Sequence, residues 1–275
     1  MLVYRLSRST IQQLHFDLPD FDSITMELPS GLYTTFRTYA GRTKVIGLRA
    51  HLDRLYPPAR AQGISVVPNP SLLRETLSDL LRLLAPHEAR VRLILDTSNE
   101  PGGMYVLLQE LQALPPAVYR DGVRVNVSMT SREKPALKQT TFISESSSER
   151  KRAGGDIFEI LLTHNGRILE GMTSNFFCVR HGVLHTAGWG VLSGVTRQTV
   201  ITIARQAGIQ VRFKALSLRE IPGIDEAFIT SSSRGVVPVV QIGDQPVANG
   251  KVGGATKQLI GLYQQGVLDM AESII

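Results

Sequence analysis

The chain has 275 residues, 43% of them hydrophobic, one cysteine and a formal net charge of +6. That length and apolar share are enough for a sizeable core in one large or two smaller domains, and the single Cys178, unable to form an internal disulfide, fits a reducing compartment, the cytoplasm. Met1 to Arg8 lack the apolar run of a signal peptide, no later run approaches the roughly 18 apolar residues of a membrane span, and the arginines are scattered, which favours small phosphorylated or carboxylated ligands over nucleic acid or a membrane surface.

Residues 2 to 6 alternate as a short strand, and Asp17 to Asp22, with Pro19, reads as a loop. Residues 31–39 and 44–48, rich in β-branched and aromatic side chains, predict a hairpin around the turn Ala40-Gly41-Arg42. A helix follows over about 49–62, closed by Gly63 and expected to kink or break at Pro57-Pro58. Leucines at 72, 73, 77, 80, 81 and 84 give core spacing to a second helix over about 71–84. Strands are predicted at about 89–96 and 104–111; Arg92 lies inside the first, where a charge must find a partner or face solvent.

Leu114-Pro115-Pro116-Ala117-Val118 is the most linker-like segment. It divides an N-terminal domain, 1–114, from a larger one, 123–275, by a linker over 115–122. Beyond it the pattern gives a strand over 123–129, a polar helix over about 142–153, and a strand over 157–163 turned by His164-Asn165-Gly166. Another hairpin turns at His181-Gly182. A helix opens at Gly194-Val195-Thr196-Arg197 and runs to Ala207, strands cover about 209–213, 226–230 and 236–242, and a last helix spans about 254–270.

Glu170-Gly171-Met172-Thr173-Ser174-Asn175-Phe176-Phe177 sets a carboxylate and a glycine at the end of one apolar run and a polar pair at the start of the next, which suits a buried acid aimed at a ligand. This E-G-x-x-S-N-x-F pattern, with Lys138 about thirty residues earlier, resembles the signature of the class IV aminotransferases, the fold-type IV pyridoxal-phosphate enzymes. That family includes branched-chain and D-amino-acid aminotransferases and aminodeoxychorismate lyase. His51-Leu52-x-Arg54-Leu55 is similar to its H-x-x-R-L helix, and Gly194-Val195-Thr196-Arg197 to its G-[IV]-T-R phosphate turn. The resemblance implies an α+β fold with a small α/β N-terminal domain and a larger, β-rich C-terminal domain with flanking helices, commonly assembled as a homodimer.

Pyridoxal 5′-phosphate asks four things of a protein. An amine must hold its aldehyde and move the substrate's α-proton, and the resemblance gives this to Lys138, with Lys134 the nearest rival. A carboxylate must pair with its ring nitrogen, the implied role of Glu170. Its phosphate needs donors: the amides of Val195 and Thr196 at a helix N-terminus, the Thr196 hydroxyl, Arg54, and Ser232 at the place of a family threonine. The substrate carboxylate needs a partner among Arg37, Arg92 and Arg234 or the amides of Ser233 and Arg234.

Some positions depart from the family. Gln139-Thr140-Thr141-Phe142 follows the lysine, leaving no clear match for the tyrosine that touches the cofactor's ring oxygen in branched-chain enzymes. Asp96-Thr97-Ser98 replaces the T-R-G of D-amino-acid aminotransferases and many lyases, and Arg234 stands where relatives usually carry a small residue. The implied activity is transfer of an amino group between an amino acid, branched-chain among the options, and a 2-oxo acid. The alternative is 4-amino-4-deoxychorismate lyase, releasing pyruvate and 4-aminobenzoate, and a cofactor-free binding protein is the reading from another class.

Overall fold

A computed structural model of the chain describes residues 1–8 and 10–275. It divides into two compact units: Met1–Gln112 with Leu137–Glu145 and Val267–Ile275, and Ala113–Ala136 with Ser146–Gly266. Helices and strands are mixed throughout, as an α+β chain requires. Among the described residues no helix is long and apolar enough to cross a membrane.

The first unit is built on an antiparallel sheet whose strands run in the order Ile11–Leu14, Leu2–Leu6, Met104–Glu110, Ala89–Asp96, Gly31–Arg37. Strand side chains alternate between faces, so this sheet buries two separate apolar sets. Leu32, Phe36, Val91, Leu93 and Leu95 pack with Leu52, Leu73 and Leu77 from the helices, and with Leu55 between two of them, on one face. Tyr33, Ile94, Tyr105 and Leu107 pack with Phe21 and Ile24 on the other.

The helix Pro70–Arg82 forms where the leucine spacing predicts it. Asn69 caps it by accepting from the Leu72 amide, Pro70 occupies the first turn, and Leu73, Leu77, Leu80 and Leu81 are buried. Each such leucine is worth about 1.5–3 kcal/mol in burial. The helix predicted over 49–62 is instead two, Leu48–Asp53 and Tyr56–Ala61. Pro57 and Pro58 sit in the first turn of the second, where an absent amide hydrogen costs nothing, so the break falls at Arg54-Leu55, ahead of the prolines.

The predicted hairpin over 31–48 does not form as a ladder. Gly31–Arg37 pairs along its whole length with Ala89–Asp96, Lys44–Ile46 pairs with Ala271–Ser273, and only a bridge between Tyr39 and Lys44 joins the two segments. Three successive left-handed residues, Ala40, Gly41 and Arg42 (φ 53°, 65° and 72°), carry the chain off the ladder. Glu88 fixes that turn by accepting from the Gly41 and Arg42 amides and the Thr38 hydroxyl. The helix Phe21–Glu27, capped by Asp20, occupies part of the predicted loop.

In the second unit the ladder closes on itself. Asn175–Arg180 pairs with Glu226–Ser231, then Gly235–Ile242, Val123–Ser128, Ile157–His164 and Arg167–Gly171 follow in turn, and Glu170 pairs back to Asn175. Val125, Leu161, Ile168, Phe176, Ile229 and Val237 gather in one core. The Asn165-Gly166 turn takes the left-handed pair (φ 48° and 68°) that a tight hairpin demands. The linker-like segment carries a short helix, Pro116–Asp121, and the predicted polar helix over 142–153 is two short ones, Thr141–Glu145 and Ser147–Arg150. Val195–Gln206 and Gly254–Met270 are helical as predicted.

Candidate active site

Glu170 is the penultimate residue of the strand Arg167–Gly171 and is 2% exposed. A carboxylate so far from water needs donors, and Arg132, Asn175 and Leu192 are among its partners. Oε1 accepts from Arg132 Nε at 2.8 Å, while Oε2 accepts from Asn175 Nδ2 at 3.1 Å and the Leu192 amide at 3.0 Å. Arg132 is itself buried and also donates to the Met172 carbonyl. Asn175 Nδ2 reaches the Leu192 carbonyl at 2.8 Å, so this side chain locks Glu170 to the segment that leads into the next helix.

That helix, Val195–Gln206, begins at Gly194 without a side-chain cap, leaving its first amides available to an acceptor. Thr196 is buried and its hydroxyl lies 3.4 Å from that of Ser232. A Cβ on Gly194 would stand 2.0 Å from Asn175 Oδ1, so only glycine lets the helix start approach the Glu170 cluster this closely. Ser233 is half-buried beside Ser232. Arg234 donates to Ser231 and Thr173 and pairs with Glu159.

In the first unit, Lys138 extends the edge of the strand Gly31–Arg37. The Tyr33 amide donates to the Lys138 carbonyl at 2.8 Å and the Thr140 amide to the Gly31 carbonyl at 2.9 Å, and Lys138 Nζ lies 4.9 Å from the centre of the Tyr33 ring. Thr140 also accepts the Gly31 amide. Arg54 ends the helix Leu48–Asp53, one turn after His51. His51 is fully buried, its Nδ1 is 2.6 Å from the Thr34 hydroxyl, and burial, reinforced by the charges of Arg54 and Lys138, holds its pKa well below the usual histidine value.

The three arginines proposed for a substrate carboxylate differ in how far they are committed. Arg92 is 4% exposed and bonds Thr35, Thr25, the Phe21 carbonyl and Asp22, with its guanidinium over the Phe21 and Tyr33 rings. Arg37 lies 4.6 Å over the Tyr39 ring, and its buried Nε has no hydrogen-bond partner among the described residues. The sequence alone does not single out Arg132, Asn175 or Tyr33 as functional. Asn175 lay inside the octapeptide, but nothing local to Ser131-Arg132-Glu133 marks its arginine as the partner of an acid 38 residues on.

The family model for class IV aminotransferases matches residues 31–242. The chain belongs to the class IV aminotransferases. This aminotransferase is 29% identical over 244 residues to a Methanocaldococcus jannaschii protein provisionally named as a branched-chain-amino-acid aminotransferase, covering 83% of this chain and 84% of the relative. It is 24% identical to the D-alanine aminotransferase of Bacillus licheniformis over 90% of this chain and 92% of that one. The crystal structure of a Thermotoga maritima protein, provisionally named a branched-chain amino acid aminotransferase, matches at a TM-score of 0.81 and 26% identity, covering 97% of this chain and 96% of that one. These relatives favour amine transfer over the lyase reading.

Pyridoxal phosphate is the cofactor of this family, and the residues present suit it. A buried acid held by Arg132, Asn175 and the Leu192 amide, an uncapped helix start and the Thr196 and Ser232 hydroxyls form a donor and acceptor set that suits a ring nitrogen and a phosphate. When bound, the cofactor supplies the electron sink that lets an amino acid's α-hydrogen leave as a proton.

Proposed function

We propose that this pyridoxal-phosphate-dependent aminotransferase moves an amino group between a branched-chain amino acid or D-alanine and a 2-oxo acid. Lys138 is the amine that holds the cofactor and carries the proton to and from the substrate's α-carbon. Glu170 pairs with the ring nitrogen, with Arg132 and Asn175 fixing its plane. Val195 and Thr196, with Ser232 and Arg54, hold the phosphate. Arg37 receives the substrate carboxylate, since Arg92 is already engaged by Asp22, Thr25 and Thr35. The protein acts in the cytoplasm as a homodimer.

One observation carries the reading. The E-G-x-x-S-N segment folds as a turn whose acid is buried, hydrogen-bonded and tied through Asn175 to an uncapped helix start. The named relatives supply the substrate classes. The test mixes the purified protein with pyridoxal phosphate, a panel of L- and D-amino acids and 2-oxoglutarate, and measures glutamate formed. Borohydride reduction followed by mass spectrometry should leave the cofactor's mass on Lys138. No visible cofactor band, or a label on Lys134, sinks the assignment; 4-aminobenzoate formed from aminodeoxychorismate would restore the lyase reading.

A further inference from the structure

The second unit buries an acid for which the proposed reaction has no use. Glu159, in the strand Ile157–His164, is 3% exposed, and its Oε2 accepts from the Thr173 amide at 3.2 Å, the Thr173 hydroxyl at 2.5 Å and the Ser174 hydroxyl at 3.1 Å. Its only cation among the described residues is Arg234, whose Nη2 lies 3.4 Å away. A Cβ on Gly171 would fall 2.2 Å from Ser174 Oγ and within 3.2 Å of the Glu159 carboxyl carbon, so glycine is required there for the turn to sit on Glu159.

Arg234 reaches in two directions at once. Its Nε donates to Ser231 Oγ at 2.9 Å, its Nη2 donates to Thr173 Oγ1 at 2.5 Å, and its guanidinium lies 5.1 Å from the centre of the Phe158 ring. Its own turn is pinned from behind, because the Tyr119 hydroxyl donates to the Arg234 carbonyl at 2.9 Å and Gly235 (φ 68°) lies against the Tyr263 ring. Ser231 precedes Ser232, which meets Thr196 at the helix start. Thr173 and Ser174 precede Asn175, which holds Glu170.

We propose that Arg234 is a positioning residue that ties the Ser231–Arg234 turn to the Met172–Asn175 turn, so that one planar, multiply bonded side chain sets the spacing between the Ser232 and Glu170 contacts. The inference rests on the cofactor roles proposed for those two residues. A guanidinium suits this task because its donors are fixed in one plane, whereas a lysine ammonium carries the charge without the fork. Glu159 is then the anchor for that fork and touches neither cofactor nor substrate.

The test compares wild type, Arg234→Met, Arg234→Lys and the double variant Arg234→Met with Glu159→Gln, by thermal midpoint and by titration of each cofactor-free protein with pyridoxal phosphate. Losing one charge-assisted bond on each turn should weaken cofactor binding about tenfold in Arg234→Met. The double variant, with no unpaired buried charge, should regain the wild-type midpoint yet keep the weak binding, and Arg234→Lys should fall between. A double variant that regains both, or an Arg234→Met protein that loses midpoint while binding as wild type does, makes the arginine merely structural and overturns the proposal. Wild-type protein that binds no pyridoxal phosphate overturns the cofactor reading itself, and this inference with it.

Discussion

Arg132 and Glu170 are 6% and 2% exposed at their side chains and 2.8 Å apart, which makes each the reason the other tolerates burial. Breaking such a pair from one side costs about 3–5 kcal/mol, because the remaining charge is shut off from solvent and has lost its countercharge. Arg132→Met should therefore lose stability on that scale in urea unfolding, and adding Glu170→Gln should recover part of it; a single variant as stable as wild type would mean the pair contributes nothing. His51 allows a pH prediction. Its folded pKa is depressed, so the folded state holds it neutral while the unfolded chain takes up a proton below about 6.5. That contribution is complete above the unfolded value and is lost as pH falls toward the folded one, by up to about 1.4 kcal/mol per pH unit. Between pH 7.5 and 5, His51→Asn should lose less stability than wild type, and equal losses would exclude the histidine as a source. From the sequence, Glu170 and Thr196 could be singled out through the short patterns around them, and both proved buried and hydrogen-bonded. Arg132 could not, because only the closed ladder brings its segment to the acid.

At the scale of elements, the helix start at Gly194 is the most sensitive to a single atom. Its backbone (φ −62°, ψ 137°) is open to any residue, so Gly194→Ala meets no conformational strain; the new methyl meets the Asn175 amide oxygen at 2.0 Å and the Arg197 Cβ at 3.3 Å. Displacing Asn175 loosens both Leu192 and Glu170. An overpacked site of this kind costs about 1–3 kcal/mol, and cofactor affinity should fall with it. Gly261, inside the helix Gly254–Met270, is the control: a Cβ there meets nothing within 4 Å, and Gly261→Ala should stabilise by about 0.5–1 kcal/mol. A Gly194→Ala protein matching that control in urea and in cofactor titration would show that the helix start has room to spare. Elements defined by their own periodicity were legible in advance, as Pro70–Arg82, Ala89–Asp96 and Gly254–Met270 show. Those defined by a distant partner were not. Lys44–Ile46 finds its strand at Ala271–Ser273, and Ile11–Leu14 has three exposed residues and no buried stripe to betray it.

For the whole molecule, composition near Pro115-Pro116 marks a change of unit, yet no local pattern signals that 137–145 and 267–275 fold with Met1–Gln112. Long-range backbone pairing makes those returns necessary. Gly31 exchanges hydrogen bonds with Thr140, Ala271–Ser273 supplies the ladder partner of Lys44–Ile46, Arg74 donates to the Ser273 carbonyl, and Ile274 is 2% exposed in the same core as Leu48 and Leu77. Residues 1–112 alone would leave those strand groups unpaired and open a cavity where Ile274 packs, a loss of about 2–5 kcal/mol for that side chain by itself. Against a total stability of about 5–15 kcal/mol, the fragment should not hold its fold. It is expected to show no cooperative thermal transition by circular dichroism and little amide protection in hydrogen exchange. Full-length Ile274→Ala should fold but melt lower than wild type. A fragment that melts cooperatively near the full-length midpoint would show that the returning segments decorate a unit already stable without them.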